Sequence, residues 1–134
     1  MYPRDLPESA AVAAFPLGGI GSGNVSLGAR GDLRDWEIFN RPAKDTRLPN
    51  TFFAIRVQSG DAPAVARVLE GPLPPPHTRS HGYHPNTGAG LPRMASSTMR
   101  GEYPIATVDF SDPSLPVRIS LEAYTPLTPL NPDD

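Results

Sequence analysis

Three groups of residues in this sequence have types and spacing suited to chemistry. Asp32, Asp35 and Glu37 form an acidic set. Two carboxyl groups flanking a bond, one as proton donor and the other as nucleophile or base, are what hydrolysis of a glycosidic bond takes. His77, His81 and His84 have the spacing H-x3-H-x2-H, and imidazoles are common zinc ligands. Gly18, Gly19, Gly21 and Gly23 crowd a short run, which invites comparison with a phosphate cradle.

Each group meets a plainer reading. Asp35 and Glu37 stand two apart on a predicted strand, so both carboxylates share one face and can reach a common ligand; an acidic strand face is nevertheless ordinary solvated surface. The histidines need a helix to bring positions four apart together. Pro74, Pro75 and Pro76 on one side, with Gly82 and Pro85 on the other, oppose a helix, so a solvated or cleft-lining loop is expected, with no metal and no cofactor. The glycines miss the dinucleotide fingerprint, which needs glycine at its first, third and sixth positions before a helix. From Gly19 the sixth position is Asn24, from Gly21 it is Ser26, and Asn24-Val25-Ser26-Leu27 alternates with the period of a strand. No Gly-Lys-Ser/Thr follows. The glycines are read instead as allowing positive φ or a close approach of another segment.

These residues need elements to hold them. The glycine run predicts a tightly packed lead into a strand whose Val25 and Leu27 face a core. Gly28-Ala29-Arg30-Gly31-Asp32 then turns the chain, with Gly31 suited to a left-handed position. Residues 33–39 return as a second strand, Trp36 and Ile38 on one face, Asp35 and Glu37 on the other. A lone tryptophan in such a strand belongs more often to the core than against a sugar ring. Asn40 and Arg41, at the strand end before Pro42, are better placed for a cleft, because polar groups on loops carry binding on β scaffolds. Asn40, Arg41, Glu37 and Trp36 make up the candidate substrate-cleft set, and no catalytic residue is assigned. Asn24-Val25-Ser26 matches a glycosylation acceptor, expected to be idle because no export signal is read ahead of it.

Elsewhere, residues 1–13 read as an extended lead-in rather than an element, and 41–50 as a polar loop. Residues 52–58 and 64–69 alternate as two partner strands around the Ser59-Gly60-Asp61 turn. Between Glu70 and Gly101 the apolar pattern disappears among prolines, so this long loop is a candidate for binding. Residues 103–110 and 117–124 close the series as strands. About six antiparallel strands and no 3.6-residue apolar stripe make an all-β chain.

Composition bounds the rest. With 134 residues the chain buries roughly two thirds of its extended surface, enough for one small domain. Its 18 prolines amount to more than double the average share of about 5%, which suits many turns and sheet edges. The net charge of -2 is mixed along the chain, so no basic stripe attracts nucleic acid. No cysteine is present, which removes disulfides and thiolate chemistry and favours a reducing compartment. The apolar run 10–15 is shorter than a secretory core of about 7 to 15 residues. Nothing approaches the ~18 apolar residues of a membrane span. A cytoplasmic chain is expected.

The sequence also resembles a known family. Ala14-Phe15-Pro16-Leu17-Gly18-Gly19-Ile20-Gly21-Ser22-Gly23, Gly31-Asp32-Leu33 and above all Asp35-Trp36-Glu37-Ile38-Phe39-Asn40-Arg41-Pro42 look like the amino-terminal signature of glycoside hydrolase family 116. That family includes β-glucosidases, β-xylosidases and non-lysosomal glucosylceramidase. The likeness continues in Asn50-Thr51-Phe52-Phe53-Ala54-Ile55, Gly101-Glu102-Tyr103-Pro104, Glu122-Ala123-Tyr124-Thr125-Pro126-Leu127 and Pro129-Leu130-Asn131.

The resemblance implies an antiparallel β-sandwich, incomplete, with residues 1–134 forming part of a larger amino-terminal domain. It implies a retaining β-glycosidase whose nucleophile Glu and acid/base Asp sit in an (α/α)6 barrel outside this chain, working through a covalent glycosyl-enzyme with carboxyls about 5 to 5.5 Å apart. The chain would then be a non-catalytic scaffold packing on its own helical domain and meeting a carbohydrate or glycolipid substrate only through the parent enzyme. A sandwich cut in mid-fold leaves edges uncovered, so isolated stability is in question. The alternative is a free-standing carbohydrate-binding module without catalysis.

Overall fold

A computed structural model describes residues 4–10, 12–19, 21–39, 41–75, 83 and 85–126. Strands carry the fold: β1 (Asp5–Pro7), β2 (Ala14–Gly19), β3 (Gly23–Gly28), β4 (Leu33–Glu37), β5 (Ala54–Val57), β6 (Val65–Val68), β7 (Ser96–Glu102), β8 (Ile105–Ser111) and β9 (Ile119–Tyr124). A single 3-10 turn at Pro85–Thr87 is the one helical feature among the described residues. The strands make three antiparallel sheets, ordered β1-β7-β8-β9, β2-β3-β4 and β5-β6. The fold class is all-β, as the alternation predicts.

The alternation explains how the layers close. In β8, Ala106, Val108 and Phe110 point inward, and Met99 of β7 joins them. From the other layer come Leu27 of β3 and Ala29 of the following turn, while Leu33, Ile55, Val57, Val65, Ile119 and Leu121 pack around this centre. All three sheets therefore share one core, the arrangement of a β-sandwich. The outer face of the four-stranded sheet stays in water. Its register aligns Arg100 with Thr107 and Glu122, and Thr98 with Asp109 and Ser120, and Arg100 Nε meets Asp5 Oδ1 at 2.8 Å. One wet and one dry face is the usual state of an antiparallel sheet.

The expected hairpin is present, with Gly28 N donating to Asp32 O at 2.8 Å and Gly31 at φ 87. A Cβ at Gly31 would stand 2.6 Å from Phe110 Cζ and 2.7 Å from Leu69 O. Both backbone conformation and crowding thus demand glycine there.

Several expectations need correction. The lead-in contains β1, which pairs with β7 through Asp5↔Arg100 and Pro7↔Thr98; at a sheet edge its proline leaves no ladder bond unmade. The loop between Glu70 and Gly101 contains most of β7. That strand escaped the periodicity because an inward position is a serine. Ser97 is 2% exposed, and its Oγ donates to Ala29 O at 3.3 Å, which makes a polar residue tolerable in the core. Residues 92–94, just before it, are pinned as well: Val68 N donates to Pro92 O at 2.8 Å and Met94 N to Glu70 O at 3.0 Å.

The acidic face expected on β4 is broken by a bulge. Asn24 pairs with Glu37 but Ser26 with Arg34, so β4 holds one residue more than β3 across this interval, and Asp35 takes φ 52. An inserted residue re-aims the side chains after it. Asp35 is consequently buried at 5% exposure rather than aligned with Glu37 in solvent.

Candidate functional site

The β2–β3 turn and the end of β4 enclose an open cleft of about 330 Å³, lined by Gly19, Gly21, Gly23, Asn24, Glu37, Arg41 and Pro42. The antiparallel register Gly19↔Gly23 and the pairing of Asn24 with Glu37 bring these segments together. Ser22 ties the turn: its Oγ accepts from Gly19 N at 2.9 Å and donates to Gly19 O at 3.0 Å. No helix follows Gly23, and the amides after it belong to β3, in agreement with the rejection of a nucleotide fingerprint.

Glu37 is the charged centre of this cleft. Its Oε2 accepts from Lys44 Nζ at 2.8 Å and Asn24 Nδ2 at 3.4 Å, and its Oε1 from Ala43 N at 3.2 Å. The Lys44 hydrogen bond first, then the Ala43 amide, hold its carboxyl below the usual carboxylate range. The same contact with Glu37 raises Lys44. Glu37 is thus an ionised acceptor near neutrality and carries no proton to give.

Of the candidate set, Glu37 and Arg41 line this cleft together. Trp36 lines neither cavity described here; it is half-buried, with its indole Nε1 enclosed and without a hydrogen-bond partner among the described residues. Asn40 lies outside the described residues, as do His77, His81 and His84. Asn24 of the glycosylation acceptor sits in a strand with its amide bound to Glu37, and Ser26 is 3% exposed, so the folded state closes this sequon to modification.

Sequence reasoning missed a second constellation, a lattice of buried charge behind the β3–β4 turn. Arg30 Nη2 stands 3.4 Å from Asp32 Oδ2 and 3.5 Å from Glu70 Oε2. Arg47 Nη1 reaches Asp32 Oδ2 at 2.9 Å, and Arg93 Nε reaches Glu70 Oε2 at 3.0 Å. Asp45 Oδ1 accepts from Arg47 and Arg34, each at 3.3 Å, and Arg34 Nε lies 3.6 Å from Asp35 Oδ2. Asp35 Oδ1 accepts in turn from Asp45 N at 2.6 Å. Backbone carbonyls take further donors of two arginines: Arg30 Nη1 bonds Gly71 O at 3.0 Å, and Arg93 Nη1 bonds Gly88 O at 3.0 Å, while Arg93 Nη2 bonds Thr87 O. Arginines 30, 34, 47 and 93 balance Asp32, Asp35, Asp45 and Glu70 in charge, as buried ions require. A cavity of about 90 Å³ lies against this lattice, bordered by Arg30, Asp32, Arg47, Glu70 and Asn86. The only trace in the sequence is charge beside glycine at strand ends, in Arg30-Gly31-Asp32 and Glu70-Gly71, a weak signal because such steps are common in exposed turns.

Among the described residues no group of three or more His, Cys, Asp or Glu can hold a metal, and no helix is long and apolar enough to cross a membrane. The described residues thus form an all-β layered domain with a polar cleft at one hairpin end and its buried acids tied to bases. A family model described as beta-glucosidase 2, glycosyl-hydrolase family 116 N-term, matches residues 14–134. The chain belongs to this family of amino-terminal domains, and is in that sense a part of a glycoside hydrolase. A comparison with curated proteins gave no match.

Proposed function

We propose that this chain is the non-catalytic amino-terminal scaffold of a retaining β-glycosidase that acts on β-glucosides or glycolipids such as glucosylceramide. It packs on a helical domain carrying the nucleophile and the acid/base, and it works in the cytoplasm. Family membership over residues 14–134 supports the glycosidase part of this reading. Its cysteine-free sequence fits a reducing compartment.

The observation that carries the scaffold role is the commitment of the acids. A glycosidase needs one carboxyl that keeps its proton near neutrality and another free to attack. Glu37 is held ionised by Lys44 and the Ala43 amide, Asp32 and Glu70 are clamped by guanidiniums, and Asp35 is bound to the Asp45 amide. Glu37 is thus no proton donor, and the oxygens of Asp32, Asp35 and Glu70 are engaged by guanidiniums or a backbone amide.

The test is direct. The purified chain is incubated with an aryl β-glucoside and product is followed over time. No saturable release is expected. Saturable hydrolysis that survives repurification and disappears in the Glu37→Gln variant would overturn the scaffold reading.

A further inference from the structure

We propose that the cleft between the β2–β3 turn and the end of β4 binds a neutral pyranoside, holding a sugar ring by its hydroxyls. The choice of a sugar among neutral polyols rests on the glycosidase reading; the cleft chemistry does not.

The charges of the lining select neutrality. An anion entering this cleft meets the Glu37 carboxylate, and a cation meets Arg41. A hydroxyl both donates and accepts, so a polyol uses both signs at once. Glu37 also keeps room for one more donor. A carboxylate offers about four lone-pair sites; Oε2 accepts from Lys44 and Asn24, and Oε1 only from Ala43 N, which leaves one site on Oε1. Those three bonds fix the carboxylate before any ligand arrives, and preorganised acceptors bind better than mobile ones.

Two further features have no explanation in the fold itself. Gly23 is required, since it takes φ 83 and a Cβ there would stand 2.8 Å from Glu37 O. Gly19 is not: its φ is ordinary, and a Cβ would meet only Ser22 Oγ at 3.6 Å, normal contact. Its missing side chain instead leaves bare backbone on the cleft wall, where a ring edge can come close. Phe39 lies between Glu37 and Arg41 in the chain, 87% exposed and at φ 58. A bulky residue in the left-handed region stores strain that clusters at ligand sites. So exposed a phenyl ring adds little to the core; its chain neighbours Glu37 and Arg41 line the cleft, and Phe39 itself does not.

The experiment is a titration of the full 15N-labelled chain with methyl β-D-glucopyranoside, with inorganic phosphate in a parallel sample. The expected result is saturable shifts at the amides of Gly19, Gly21, Gly23, Asn24 and Arg41 with the glucoside and none with phosphate. Arg41→Ala, at an exposed position, should weaken binding about tenfold, as loss of one charge-assisted hydrogen bond does. Gly19→Val should weaken it at least as much with an unchanged thermal midpoint. Absence of saturable shifts, shifts confined to other residues, saturation by phosphate instead, or undiminished binding in Arg41→Ala would each overturn the proposal. The glucoside's own anomeric signal separates the two readings: its decay would overturn the scaffold reading and leave the cleft standing, whereas missing cleft shifts would do the reverse.

Discussion

Asp112 shows how a single carboxylate sets a pH limit in this chain. Ser114 donates to it from both its hydroxyl and its amide, and Arg67 Nε lies 2.7 Å from Oδ2. The Ser114 hydroxyl first, with its amide and Arg67 adding to it, holds the carboxyl below its ordinary range against the opposing effect of burial. A carboxyl whose folded value lies below its unfolded one binds protons less readily when folded. Its contribution is therefore complete above the unfolded value and disappears as pH falls through the folded one. The expected outcome for Asp112→Asn is a lower urea midpoint near neutrality and a gap from the parent that closes in strong acid. Urea titrations at both pH values check it; a gap of constant size would mean that the contact acts by shape and not by charge.

At the level of elements, the hairpin turn between β3 and β4 was legible because its requirement is written in residue type. Gly31 and the alternating residues on either side predict both the turn and its direction. Two glycines at positive φ now separate conformation from crowding. Gly60, in the β5–β6 turn, takes φ 55 with nothing within 4 Å of a Cβ, whereas Gly31 faces Phe110 and Leu69. Gly60→Ala should cost about 1 to 2 kcal/mol, the penalty of the left-handed region alone. Gly31→Ala adds overpacking of about 1 to 3 kcal/mol. Chemical denaturation of the two variants reads the difference, and equal costs would deny the contact with Phe110. What the sequence did not disclose are the elements whose signals depend on partners far along the chain. In β7 a core serine is satisfied by a carbonyl in the β3–β4 turn, and in β4 the bulge at Asp35 answers to the Asp45 amide. Neither partner is visible from local alternation. Of the residues lining the cleft, Glu37 was read in the acidic set and Arg41 at the strand end before Pro42; Asn24 was read as a glycosylation acceptor in an alternating strand, and the glycines for their backbone roles.

Across the whole molecule, the charge lattice ties the 45–47 loop, which gives the core no residue, to segments that the core also joins. It binds the β3–β4 turn, the 45–47 loop, Glu70 after β6 and Arg93 before β7. Removing one buried partner strands the others: Glu70→Gln leaves Arg30 and Arg93, each with a side chain 7% exposed, short of one charge, at an expected loss of about 3 to 5 kcal/mol. Asp5→Asn, at a pair more than half exposed on each side, should leave the unfolding midpoint nearly unchanged, because water screens the pair. Equilibrium unfolding of both variants is the measurement, and comparable losses would show that the lattice is no more than surface decoration.

Asn24 bears on how such a chain is made. A host that routes it through an oligosaccharide-transferring compartment presents the Asn-Val-Ser tripeptide before the hairpin has closed. An attached glycan would then occupy the amide nitrogen that Glu37 needs and prop β3 away from β4. Synthesis in a bacterial cytosol avoids that competition between enzyme and folding.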